Sequence, residues 1–152
     1  MLLRALGHGQ SAALVRFLKN RGSGEVDILE RLGTRMAGGG LGFLPRREGS
    51  DAWDDHARAA RGAWDQARTI LDEIPAPALV VLDEICIALD RGILGREAVE
   101  PVLAERRPGV SVVCTGRGAP AWLRDMADTV SEVECRKHAF QAGIAATEGV
   151  EL

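Results

Sequence analysis

Leu79-Val80-Val81-Leu82-Asp83-Glu84 decides how this chain is read: four apolar residues in a row, then two carboxylates. A strand covered on both faces loses the polar/apolar alternation of a half-exposed one, so the run reads as a buried parallel strand. Pro75 and Pro77 punctuate its entry, where a helix hands over to a strand. In open α/β sheets the ligand crevice lies beyond the carboxyl ends of the strands, which is where Asp83 and Glu84 fall. An Asp at such a strand end holds Mg²⁺ in nucleotide enzymes, and a neighbouring Glu can orient a ligand. Taken alone, the pattern equally fits a strand that ends in a helix-capping Asp.

Outward from that strand, helical and extended patterns alternate. Upstream, Asp51 to Ile74 carries Ala57, Ala60, Trp64, Ala67, Leu71 and Ile74 at steps of three or four, one apolar stripe of a long helix. Its other face, with Asp54, Asp55, Arg58, Arg61, Asp65 and Arg68, reads as solvated. Gly38 to Ser50 holds five glycines, a proline and two adjacent arginines, and is expected to be a mobile loop with Phe43 as its aromatic residue. Glu25 to Leu32 reads as a helix through Val26, Leu29 and Leu32. Ala12 to Leu18, apolar except for Arg16, reads as a strand, and Met1 to Gly7 as the last turns of a helix.

Downstream, a short helix runs to Asp90, and a further one from Arg96 to Arg106, in which Pro101 must kink the helix or sit in its first turn. Val110 to Cys114 reads as a second buried strand. Pro120 opens a helix from a first-turn position, with Leu123, Met126 and Ala127 inward. Thr129 to Cys135 alternates and reads as a strand nearer the sheet edge, and Lys137 to Leu152 as a glycine-containing tail. Strands alternating with helices predict an α/β protein with a mostly parallel sheet.

The 152 residues suffice for one domain with a real core, and 19 basic against 22 acidic residues give a net charge of −3, which offers no electrostatic case for nucleic acid. No stretch is long enough for a membrane span and no signal peptide is visible, so a cytoplasmic setting is expected. Cys86, Cys114 and Cys135 fit no metal or haem spacing; Cys86 and Cys114 lie in apolar surroundings and read as packing residues.

The second chemical stretch is Thr115-Gly116-Arg117-Gly118, at the end of the Val110–Cys114 run and so on the same sheet edge as Asp83 and Glu84. Glycines let backbone approach a ligand, and an arginine fork suits phosphate or carboxylate. By spacing alone it also fits a tight turn with an exposed Arg. Continued as Ala119-Pro120, then Ala127-Asp128-Thr129-Val130-Ser131-Glu132, then Lys137-His138-Ala139-Phe140-Gln141-Ala142-Gly143-Ile144, it closely resembles the ATP:corrinoid adenosyltransferases of the P-loop kind. Val81-Leu82-Asp83-Glu84 matches that family's metal-binding strand, Arg4 to Gly9 its first helix, Phe17-Leu18-Lys19 its second strand, and Gly42-Phe43 the start of its corrinoid loop.

The resemblance implies a P-loop NTPase fold of the RecA-like type, with helices on both faces of the sheet. It implies transfer of the 5′-deoxyadenosyl group of ATP to the reduced cobalt of a corrinoid, with release of triphosphate, in adenosylcobalamin biosynthesis. Asp83 and Glu84 would hold Mg²⁺ on the triphosphate and Arg117 would line the cleft. Phe43 would contact the corrinoid, its apolar bulk favouring loss of the lower axial ligand. Thr115, Gly116, Lys137 and His138 are carried as ligand-binding positions.

Three departures accompany the resemblance. The family's Gly-x-Gly-Lys-Gly-Lys-Thr loop precedes its first helix, whereas this chain starts inside that helix. Pro45 stands where the family loop has Trp, and the chain has no Tyr. The expectation is therefore one domain over residues 1–152 lacking the first strand and P-loop, with a tail from 136 to 152. Open strand edges predict a homo-oligomer, a dimer in the simplest case. With Arg117 as the one cation at the phosphates, the chain is expected not to bind MgATP measurably. The rival reading is a non-catalytic relic of the family that binds a corrinoid or a partner subunit.

Overall fold

A computed structural model describes residues 1–19, 24–42, 44–45, 48–147 and 149; Phe43 falls outside them. In chain order the elements are α1 (Leu2–Gly7), β1 (Ser11–Arg16), α2 (Gly24–Arg31), β2 (Arg35–Gly38), α3 (Asp51–Glu73) and β3 (Ala78–Asp83). There follow α4 (Ile85–Asp90), α5 (Arg96–Ala104), β4 (Val110–Cys114), α6 (Ala121–Met126) and a 3₁₀ turn at Ala139–Ala142. The four strands pair in the order β2-β1-β3-β4, every neighbour parallel.

β3 is an interior strand, with β1 on one side and β4 on the other. Successive side chains of a strand point to opposite faces. Val80 and Leu82 therefore enter the larger core, together with Ala13, Val15, Phe17 and the stripe of α3. Leu79 and Val81 enter a smaller one with Leu14, Leu2, Ala5 and Leu29. Apolar surface on both faces is why β3 shows no alternation in sequence.

α3 is the main support of the larger core. Ala57, Ala60, Ala63 and Ala67 are buried along it, and their small side chains bring the helix close to the strands; Trp64, Ile70 and Leu71 fill the remaining volume. Ser50 caps it, its hydroxyl accepting from the Trp53 N–H at 3.3 Å, a contact worth about 1 kcal/mol.

Several expectations are corrected. β4 is not a doubly buried strand: only Val110 is buried, because β4 lies at the sheet edge with one neighbour. Thr129–Cys135 forms no strand; it is irregular and exposed, Val130 by 55% and Val133 by 94%. An alternating sequence becomes a strand only where a partner takes up its backbone N–H and C=O groups, and none does so among the described residues. Glu84 is not the last strand residue but a left-handed residue that precedes α4. Pro101 sits well inside α5, past the first turn, Pro120 is the N-cap of α6 rather than a helical residue, and Ala127 and Leu32 are exposed. The short strand β2, unread in the sequence because Arg35-Met36-Ala37-Gly38 carries little apolar bulk, is found pairing with β1.

Candidate active site at the carboxyl edge of the sheet

Register brings one residue from each strand end into a row. Arg16 stands opposite Gly38 on one side and Asp83 on the other, and Leu82 opposite Cys114 places Thr115 beyond β4 beside Asp83. The ladders continue one step: the Phe17 N–H donates to the Asp83 carbonyl at 3.0 Å and the Thr115 N–H to the Leu82 carbonyl at 3.1 Å.

Thr115 organises the two carboxylates. Its hydroxyl donates to Asp83 Oδ1 at 2.9 Å and accepts from the Glu84 N–H at 3.0 Å. Glu84 has φ 65°, a conformation that costs a non-glycine residue about 1–3 kcal/mol. This reversal ends β3, and the Thr115 hydroxyl satisfies the amide it turns outward. The carboxylate pair is thus held by side-chain and backbone bonds from a neighbouring strand, not left on a free loop.

Lys19 faces the pair, with Nζ 3.2 Å from Asp83 Oδ2 and 3.9 Å from Glu84 Oε1. The backbone around it is clasped by the glycine run: Gly39 N–H donates to the Arg16 carbonyl, Gly40 N–H to the Lys19 carbonyl and Gly42 N–H to the Leu18 carbonyl, at 2.8–3.0 Å. A Cβ on Gly40 would lie 2.1 Å from the Leu18 carbonyl carbon. The run is thus not merely a mobile loop: Gly38 and Gly40 are required by close backbone packing, and Gly39 and Gly42 by their positive φ, in the segment that seats Lys19.

The turn after β4 packs on the same site. A Cβ on Gly116 would stand 3.2 Å from Glu84 Oε2, and one on Gly118 2.6 Å from Asp90 Cγ. Arg117 between them is exposed and makes no ion pair among the described residues. Lys137 and His138 are exposed on the C-terminal segment, where His138 Nδ1 accepts from the Phe140 N–H at 3.2 Å and caps the 3₁₀ turn. The structure therefore brings together Asp83, Glu84, Thr115 and Gly116, keeps Arg117 on the adjoining turn, and gives Lys137 and His138 no hydrogen bond or ion pair with them among the described residues.

Two thiols lie against the site. Burial, then the Glu84 charge, pushes the Cys86 thiol up; burial, then Cys86, pushes Cys114 up to about 12. Both stay protonated near neutral pH and serve as packing groups, as their sequence surroundings predict.

Two residues escaped the sequence reading. Lys19 was seen only as part of a matched strand, and Arg16 only as an exception in an apolar run. A lone charge in a buried strand, and a lysine just past its end, were the available signals. With Lys19, Arg117 is no longer the one cation on this edge of the sheet.

A parallel sheet with helices on both faces, and a carboxylate pair at the carboxyl end of an interior strand, define a P-loop NTPase-like α/β protein. Comparison with known proteins specifies more. Residues 1–152 match the family described as ATP:corrinoid adenosyltransferase BtuR/CobO/CobP. The corrinoid adenosyltransferase of Pseudomonas aeruginosa is 40% identical over 153 residues, covering 100% of this chain and 74% of that protein. The corrinoid adenosyltransferase CobA of Salmonella typhimurium is 34% identical over 149 residues, 97% of this chain and 74% of its own length. That of Escherichia coli K12 is 34% identical over 154 residues, with the same shares. The chain belongs to the ATP:corrinoid adenosyltransferase family.

Proposed function

We propose that this chain's carboxyl-edge site serves transfer of the 5′-deoxyadenosyl group of ATP to the reduced cobalt of a corrinoid, in adenosylcobalamin biosynthesis. The electron pair of Co(I) forms the bond to C5′, the C5′–O bond breaks, and triphosphate leaves with that electron pair. The nucleophile comes with the substrate, so the protein's part is to position both reactants and to balance the leaving charge.

The observation that carries the assignment is the bonding of Asp83. One carboxylate oxygen is fixed by Thr115 and the other faces Lys19, with Glu84 beside them. Hard oxygen donors in this number fit Mg²⁺, which takes one or two carboxylates and completes its shell with phosphate oxygens and water. Asp83 and Glu84 would hold the ion, which when bound neutralises charge on the triphosphate. Thr115 orients Asp83. Lys19 balances the carboxylates and is placed to donate to a phosphate oxygen. Arg117, free on the adjoining turn, is assigned to the same polyanion, and Phe43, outside the described residues, to the corrinoid.

The test is Asp83→Asn. Adenosyl transfer is expected to fall by about two orders of magnitude or more, with Mn²⁺ binding weakened and the melting temperature unchanged. Wild-type turnover together with unchanged Mn²⁺ affinity would remove Asp83 from the site. We also infer self-association as a dimer along the open edge of β4; sedimentation as a monomer at all concentrations would contradict it. Among the described residues no helix is long and apolar enough to cross a membrane.

A further inference from the structure

Arg16 is only 7% exposed, and its guanidinium makes no hydrogen bond, ion pair or ring contact among the described residues; its nitrogens keep a narrow access to solvent, the wholly buried unpartnered side-chain atoms there being those of Thr34 and His56. Guanidinium is charged at every accessible pH and carries five donors in a fixed fork. Buried charge is ordinarily paired, because desolvation without a partner is costly. The nearest carboxylate by register is Asp83, directly opposite on β3 and one strand spacing away, about 4.8 Å. Asp83 is engaged elsewhere: Oδ1 receives the Thr115 hydroxyl and Oδ2 faces Lys19. Strand alternation puts Arg16 on the same face of the sheet as Asp83, with Leu14 and Val81, not on the α3 face with Val15 and Leu82.

We propose that Arg16 is an anion-binding residue of this site, whose unpaired and nearly covered guanidinium takes an oxygen pair of the polyphosphate that the Asp83 edge receives. The inference rests on the phosphate reading of that edge and adds a residue to it. It gives the thinly solvated charge a partner that the described residues do not supply. A planar fork matches two phosphoryl oxygens, which a lysine cannot do. The position beside Lys19 groups two cations on strand β1 and its exit, across from two carboxylates. A bare polyanion would be repelled by that carboxylate pair alone.

The role separates from a structural one by the sign of its effect on stability. Removing an unpaired charge that is only thinly solvated leaves a protein equally or more stable, whereas removing one half of a buried ion pair destabilises it. The experiment titrates inorganic triphosphate, with and without Mg²⁺, into the full chain and its Arg16→Met, Arg16→Lys and Asp83→Asn variants, following binding by NMR so that weak affinities are read. Arg16→Met is expected to weaken triphosphate binding by about tenfold or more and to melt at or above the wild-type temperature. Arg16→Lys, which keeps the charge and loses the fork, should fold normally and bind with intermediate affinity. Orthophosphate should bind more weakly than triphosphate to the wild type.

Four outcomes overturn the proposal: no triphosphate binding by the wild type, unchanged affinity in both Arg16 variants, a lowered melting temperature with unchanged affinity, or equal affinity for orthophosphate. Asp83→Asn keeps the two assignments apart. If it leaves Mg²⁺-dependence intact while Arg16→Met still weakens binding, the metal assignment fails and the Arg16 assignment stands.

Discussion

The two faces of the sheet share the same strands and do different work. On one, Val15, Phe17, Val80, Leu82, Ile85, Ile70 and Leu71 are fully buried beneath α3 and its neighbouring helices. On the other, among the described residues, the short helices α1 and α2 cover Leu14, Leu79 and Val81, and a trough of about 390 Å³ opens between Met1, Leu3, Ile28, Val81, Val113 and Thr115. The residues with chemistry lie on the thinly covered face or at its edge: Arg16, Asp83 and Thr115 follow Leu14, Val81 and Val113 in the alternation. Asp83 and Thr115 keep partial solvent access there, while Arg16 is nearly covered. The thickly covered face supplies the rigidity that keeps the row of strand ends in register.

Adjacent residues of β3 test this division. Leu82→Ala, on the thick face, should cost about 2–5 kcal/mol, because a fully buried leucine leaves a cavity that surrounding helices cannot close. Val81→Ala, one residue away but half-buried above the trough, should cost about 1 kcal/mol or less. Denaturant unfolding of both variants measures the contrast; equal losses would mean that the two faces are equally packed.

A smaller effect on stability, and a larger one on ligand binding, is expected at the edge of the thin face. Thr115→Val removes the hydroxyl that orients Asp83 and satisfies the Glu84 amide. Mn²⁺ affinity, read by electron paramagnetic resonance, should fall by about tenfold or more, and stability by about 1 kcal/mol. Thr115→Ser should restore much of both. Full Mn²⁺ affinity in Thr115→Val would show that Asp83 needs no support from β4.

The last expected effect is an alkaline one, absent at neutral pH, where Cys114 of β4 packs against Cys86 of α4. The folded Cys114 thiol is raised to about 12 from an ordinary 9.0, and Cys86 is raised in the same sense. Below pH 9 the thiols are protonated in both states and contribute no pH dependence. Above it the unfolded chain ionises first, so stability should decline as pH rises from about 9 towards 12. Cys114→Val should flatten part of that decline. An identical profile in the variant would place the alkaline sensitivity elsewhere.

Local pattern and side-chain chemistry made much of this protein legible from its sequence. The buried run of β3, the stripe of α3 and the parallel α/β class follow from periodicity, which tertiary context did not override. Asp83 and Glu84 were legible because acids after an apolar run fall at a strand's carboxyl end, and the Thr115–Ile144 motif carried the family. Contacts between segments distant in the chain had to come from the fold. Thr115 could not be seen as the residue that orients Asp83 until β3 and β4 lay side by side. Lys19 became a site residue only because residues 38–42 hold its backbone beneath the carboxylates. Arg16 looked like a blemish in an apolar strand until register set it beside an Asp already engaged by other partners. Thr129–Cys135 had the alternation of a strand and no strand formed, because pairing depends on a neighbour and not on the segment's own pattern. Sequence records each residue's own preferences; strand order and register decide which of them meet.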